Sequence, residues 1–376
     1  FSDKIFIFDV LIINIWMKIN RIYLYISLLI AIIITSCDDS SQVSKNSSPQ
    51  IIGLSRQSTY YNDIITVYGK YFGDLSPNSY LLFLKINSTD TILKLSSLDC
   101  INWTSTKITF KINQNMQSCN LSVLVNGIAS NKIRIQIEKL PQLEMIEINP
   151  DTFLMGSEFG FQDEKPPHQV KLTNKFYISK YEVSQLLWEN VMGYNNSIIK
   201  SPNLPVHNIN WYEAILFCNQ ISKRMNLDTC YVLINDTLVL YDTLANGYRL
   251  LTEAEWEYAC KSGSTDDYYG YKPEQIAWFN LNSGYSPHPC GTLTANKYGL
   301  YDMLGNIWEW CWDYYSKTYY KDSPLINPIG PDNGSQRVLR GGSCSSGTAY
   351  IRASNRMYPD GNFNFCGMRL ARTKYE

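Results

Sequence analysis

The sequence predicts two folded domains of different class: a β-sandwich over residues 49–138 and an α+β domain over residues 141–376. Three observations carry this reading. Short β patterns alternate with turn signals at regular spacing through the first stretch. Helical periodicity begins only beyond Pro141, and in three places. Between Gly263 and Lys297 regular patterning thins out, and Gly, Pro, Asn, Ser and Tyr dominate. An irregular stretch of that length inside a compact domain needs something to hold it, such as metal ions or disulfides.

Taken in order, the chain starts at Phe1, and Met17 is its first methionine. Lys18 and Arg21 precede an apolar run from Ile22 to Ile34, closed by Thr35-Ser36-Cys37. This is the layout of a secretory signal peptide. It also resembles a bacterial lipobox, which implies a lipidated Cys37 as the first mature residue. Residues 1–16 then read as upstream of the signal, and 1–37 as upstream residues plus leader. The expected location is the bacterial cell envelope, lipid-anchored and extracytoplasmic, periplasmic or surface-exposed. The membrane would be one partner, held through acyl chains on Cys37. Residues 38–48, DDSSQVSKNSS, are too small and polar to bury a core and read as a flexible tether.

Within 49–138, Ile64–Gly69, Tyr80–Ile86, Lys107–Ile112, Leu121–Val125 and Lys132–Ile137 read as strands, and Asn126-Gly127 is a strong hairpin signal. Pro49-Gln50-Ile51, Tyr68–Gly73, Trp103 and Asn126-Gly127 with Ser130-Asn131 resemble an IPT/TIG module. That implies an immunoglobulin-like sandwich acting as a spacer or adhesion unit. Cys100 and Cys119 either pair in an oxidising compartment or stay as buried thiols.

In the second domain, Met145–Ile148 and Thr152–Met155 read as a hairpin turned at Gly156, and Phe176–Ile178 as a further strand. Val183, Leu186, Leu187 and Val191 give helical spacing over 182–192. Asn210 caps a helix over 210–225 with Trp211, Ala214, Ile215, Cys218 and Ile221 on its apolar face. Thr252 and Glu255 form a capping box for a third helix, with Trp256 and Ala259 facing inward.

The densest stretch is Tyr298–Asp313, YGLYDMLGNIWEWCWD. Gly305-Asn306 makes a tight turn, because both residues tolerate positive φ. Ile307–Trp312 follows as a buried strand. Asp302 and Glu309 flank the turn. Two readings stay open from the residues alone: a carboxylate cage for a hard cation such as Ca2+, or a core strand whose Glu caps a backbone amide.

GLYDMLGNIWEW, together with FLMGS at 153–157, GYRLLTEAEWEYAC at 247–260, RGGS at 340–343 and CGMRLA at 366–371, resembles the formylglycine-generating enzyme or sulfatase-modifying factor family over about 143–373. The resemblance implies a C-type-lectin-like α+β fold with much irregular structure and calcium sites. One structural Ca2+ site would take the Asp302 side chain, the Gly305 and Ile307 carbonyls and the Glu309 carboxylate. A second would fall near Asn280–Gly284.

Members of this family that convert a sulfatase cysteine to formylglycine hold copper on two cysteines just after RGGS, five residues apart; two thiolates suit soft Cu(I). Here those positions carry Ser346 and Ile351, so copper is not expected. Cys344 lies two positions early and has no partner five residues on. Trp308, Ser343 and Tyr350 match residues lining the family's pocket, so the pocket candidates are Trp308, Ser343, Cys344, Ser346 and Tyr350. No general base stands beside Ser346 in sequence, which argues against a serine nucleophile. His168, His207 and His288 sit in separate loops without ligand spacing; the plain reading makes each an exposed loop residue.

Lys+Arg 33 against Asp+Glu 34 leaves a net charge of -1, which gives no electrostatic case for nucleic acid. No phosphate-binding glycine loop and no HExxH motif occurs. The expected function is therefore a tethered lipoprotein whose second domain keeps the fold without the copper pair and binds a protein, peptide or small ligand or serves envelope assembly. The alternative is a formylglycine-generating oxidase, or another oxidoreductase using the same pocket.

Overall fold

The computed structural model describes residues 47–113, 115–141, 143–234, 238–359, 361 and 364–374. The signal segment and Cys37 lie outside the described residues. Two compact units emerge, one from residues 47–55, 66–110 and 119–134, the other from 56–65, 111–118 and 135 onward. Among the described residues no helix is long and apolar enough to cross a membrane.

The first unit is all β. Gln50–Leu54 pairs antiparallel with Ile64–Lys70, and Asn102–Trp103 with Lys107–Lys111. Ser79–Leu84 lies between Thr91–Ser96 and Cys119–Val125, antiparallel to both. Alternation puts Val67, Ile108 and Phe110 on one buried face and Leu81, Phe83, Leu121 and Val123 on another. Phe83 and Phe110 meet edge to face, with ring centres 5.5 Å apart. Asn126 (φ 49°) and Gly127 (φ 83°) make the expected turn into Ile128–Ala129. Cys100 and Cys119 stand as thiols.

The second unit is mixed α/β, mostly short sheet with few helices. Met145–Ile148, Phe176–Ser179, Ala371–Thr373 and Tyr248–Arg249 form one antiparallel sheet. Another runs Arg356–Met357, Arg337–Arg340, Trp308–Tyr314, Cys366–Gly367. The expected hairpin between Met145–Ile148 and Thr152–Met155 does not form. The first strand pairs with Phe176–Ser179 and the second with His168–Lys171. Asn149-Pro150-Asp151 joins two strands that each bury better against a later segment.

Two of the three expected helices begin where their caps predict, and a short fourth helix, Pro273–Ile276, is added among the described residues. Asn210 caps Trp211–Arg224 and Thr252 caps Glu253–Lys261, each in a reciprocal capping box. The helix expected from residue 182 instead spans Gln185–Met192, because the Ser184 hydroxyl accepts from the Leu187 amide. Glu182 is thereby left outside the helix and turns into the interior.

Candidate functional site

Five arginines hold this loop-rich unit together from within. Arg340 and Lys261 share Glu257; Lys261 Nζ lies 2.6 Å from Glu257 Oε1, and Arg340 Nη2 bonds Oε2. Arg356 grips Glu253 through Nε at 2.6 Å and Nη2 at 2.8 Å. Arg352 takes both oxygens of Glu164. Arg249 takes both oxygens of Glu255. Arg369 faces Glu309, with Nε at 2.9 and 2.8 Å from its two oxygens. Glu253 and Glu257 lie one turn apart on the Thr252-capped helix, so one short helix anchors several loops. Burial works against the charge of Glu257, but Lys261 and Arg340 hold its carboxyl below the usual range.

The predicted calcium residues collect around the Arg369 pair. Asp302 (φ 54°), Gly305 (φ 78°) and Asn306 (φ 58°) all take left-handed backbone. At Gly305 a Cβ would meet the Trp278 carbonyl oxygen at 2.3 Å, so this position requires glycine. Asp302 Oδ2 accepts from the Gly291 amide at 2.6 Å. The Glu309 carboxylate is turned to Arg369 and also accepts from Trp256 Nε1 at 2.7 Å. Glu182 joins them, its carboxylate accepting from Asn306 Nδ2 at 2.7 Å and the Ile307 amide at 3.2 Å.

Burial first, then Glu309, pushes Asp302 up to about 6. Burial, then Asp302 and Glu309, raises Glu182 well above the carboxylate range. Glu182, Asp302 and Glu309 are three buried carboxyls near the single Arg369 guanidinium, and each already accepts from an amide or guanidinium donor. Among the described residues no cluster of three or more His, Cys, Asp and Glu side chains is arranged as a metal cage.

A cavity of about 400 Å3 opens on the other side of the same strand. Trp308, Ser343, Ser345, Met357, Tyr358 and Cys366 line it, with Asn364 and Phe365. Among the described lining residues none carries a formal charge. Ser343 Oγ sits 3.1 Å from Ser345 Oγ and 3.2 Å from Ser346 Oγ, and Ser346 Oγ accepts from the Ser343 amide. Of the predicted pocket residues, the structure thus brings Trp308 and Ser343 to the cavity and ties Ser346 to Ser343.

Cys344 is buried, and burial pushes its thiol up to about 12; an inert thiol is the consequence. Tyr350 points elsewhere and stacks on Phe161 at 5.5 Å. Ile351 is fully buried in the core against Gly342. The motif blocks do not include Met357, at the end of the short strand Arg356–Met357, or Tyr358 and Asn364, on irregular chain beyond it.

The histidines correct an expectation. His207 is fully buried; its Nε2 accepts from the Ile198 and Ile199 amides, and burial lowers its pKa. His288 stacks on Trp278 at 3.7 Å. His168 lies in a strand, edge-on to Tyr320. None is a plain exposed loop side chain.

Fold and site together define a mixed α/β domain with a few capped helices, arginine-carboxylate pairs in place of long sheets, and an uncharged cavity beside a tryptophan-rich strand. The family model described as "Sulfatase-modifying factor enzyme 1-like domain" matches residues 134–374, and the chain belongs to that family. It is 34% identical over 263 residues to a chaperone protein LppX of Paenibacillus barcinonensis, covering 60% of this chain and 90% of that one. It is 31% identical over 207 residues to a formylglycine-generating enzyme of Streptomyces coelicolor, covering 49% of this chain and 57% of the enzyme. Among solved structures, Treponema denticola variable protein 1 matches 68% of this chain and 99% of its own, at 31% identity and a TM-score of 0.58. PvdO from Pseudomonas aeruginosa shares the fold at 22% identity and a TM-score of 0.51.

Proposed function

We propose that this protein is a non-oxidising member of the sulfatase-modifying factor family that binds polypeptide in the Trp308–Ser343 cavity. One observation carries the reading. The two positions that the resemblance assigns to copper cysteines hold a hydroxyl tied to Ser343 and an aliphatic side chain sunk in the core. Neither can hold Cu(I). The cavity wall instead offers Met357, Tyr358 and Phe365 beside serine hydroxyls, the mixture of apolar grip and adaptable hydrogen bonding that suits an extended peptide. The name of the LppX relative, a chaperone, supports a binding role.

In this reading Cys37 carries the lipid anchor, the first unit is an immunoglobulin-like IPT/TIG spacer, and the protein works in the bacterial envelope. Ca2+ bound at Asp302, the Gly305 and Ile307 carbonyls and Glu309 would brace the loop under Trp308.

The second reading is a formylglycine-generating oxidase. It draws on the retained Trp308 and Ser343 and on Cys366 in the cavity wall.

A fluorescein-labelled unfolded peptide rich in apolar residues tests the first reading by polarisation. Saturable binding, weakened about tenfold or more by Tyr358→Ala, is expected, since loss of an aromatic anchor that a bound peptide covers removes about 2 kcal/mol. Binding that ignores Tyr358→Ala would refute it.

A further inference from the structure

A second cavity, of about 460 Å3, lies between the strand Thr152–Met155 and the helix Glu253–Lys261. It shares no lining residue with the Trp308 cavity among those described. Phe153 and Tyr258 meet edge to face at 5.3 Å and form one wall. Phe159 stands at the mouth with 99% of its side chain in water. A phenylalanine held that far out on a short loop is a poor arrangement for a free surface and a good one for a contact.

The charges around the cavity are not balanced. Lys261 is spent on Glu257 and on the Leu154 carbonyl, at 2.6 and 2.8 Å. Arg352 is spent on both oxygens of Glu164. Asp267 Oδ1 forms a long ion pair with Arg352 Nη1 at 3.7 Å, and its side chain is 37% exposed at the cavity it lines. Glu158, exposed, lines the same cavity. The lining thus presents two carboxylates, Glu158 exposed and Asp267 held by one long ion pair to a guanidinium that bonds Glu164 more closely, beside the Phe153–Tyr258 wall and the exposed Phe159 ring.

We propose that this cavity binds a cationic side chain, arginine or lysine, presented by a polypeptide, with the alkyl stem along Phe153 and Tyr258 and the charge between Asp267 and Phe159. Aromatic faces attract a cation, and a carboxylate shielded from water attracts it more strongly than an exposed one. Burial already holds the Asp267 carboxyl above its usual range, a cost that a bound cation relieves. The site stands independently of the Trp308 cavity, and either can fail without the other.

The test is a calorimetric titration of the whole protein with Nα-acetyl-arginine amide and, separately, with Nα-acetyl-citrulline amide, which has the same shape and no charge. Arginine amide is expected to bind at least tenfold more tightly than the citrulline compound, and less tightly as salt rises. Asp267→Asn is expected to remove that preference. Phe159→Ser, which touches no core, is expected to weaken arginine binding several-fold, and Tyr358→Ala in the other cavity to leave it within twofold. Equal binding of the two compounds, no measurable heat with either, or an arginine preference that survives Asp267→Asn would overturn the proposal.

Discussion

Replacing Glu257 by alanine should cost the second unit more than any surface change. Glu257 is fully buried. Its Oε1 accepts from Lys261 at 2.6 Å and from the Gly156 amide at 2.8 Å, and its Oε2 accepts from Arg340. Glu257→Ala leaves two buried cations short of a carboxylate. Arg340 keeps the Asn355 carbonyl and, as its remaining carboxylate among the described residues, Glu253 at 3.4 Å, which is already gripped by Arg356. Breaking a buried pair from one side costs about 3–5 kcal/mol, and an unsatisfied amide about 1–3 kcal/mol. The two overlap, so about 4 kcal/mol is the expected total. For a unit of this size about 2–4 °C per kcal/mol follows, hence a fall in Tm of about 8–16 °C by differential scanning calorimetry. Glu147→Ala, which removes a half-exposed partner of Lys374, serves as control and should leave Tm unchanged. A Glu257→Ala protein melting within about 2 °C of the parent would show that the arginine network does not carry the fold.

Three further outcomes follow from the same geometry. Because the Glu257 carboxyl is held below its ordinary value, its contribution is present above about pH 4.5 and is lost as pH falls through the depressed folded value; acid titration of Tm should be steeper for the parent than for Glu257→Gln, and equal slopes would contradict the pairing. Calcium at a hundred times its Kd should add about 2.7 kcal/mol to the parent and nothing to Asp302→Ala; melting curves identical in calcium and in chelator would remove the cation from the account. On the proposed reading, Ser346→Cys combined with Ile351→Cys restores the two cysteines that the resemblance places there and should confer about one Cu(I) per chain on a parent expected to take none, measured by a chromogenic Cu(I) competitor; a double variant that still takes no copper would contradict that placement.

What the sequence showed clearly was local. The Asn210 and Thr252 caps and the Asn126-Gly127 turn need only a few neighbouring residues, and each is where the pattern places it. The failures are non-local. Met145–Ile148 and Thr152–Met155 look like a hairpin because they are adjacent, yet each finds its partner beyond residue 167. The helix start slipped from 182 because the periodicity includes Val183, while the Ser184 hydroxyl fixes the cap and Glu182 is drawn to Asn306. Arginine–carboxylate pairs such as Arg340–Glu257 and Arg352–Glu164 join residues far apart in the chain and leave no periodic trace. Of the pocket, Trp308 and Ser343 were legible through motif blocks, whereas Tyr358 and Asn364 lie on irregular chain with no pattern to read.

The most direct test of the central claim, a retained fold without the copper centre, is a turnover assay. The purified protein is given Cu(I), oxygen and a peptide carrying the CxPxR motif, and mass spectrometry follows the mass loss of cysteine becoming formylglycine. No stoichiometric copper and an unchanged peptide are expected. Conversion of the peptide would contradict it, and would point to Cys366 in the cavity wall as the first residue to replace.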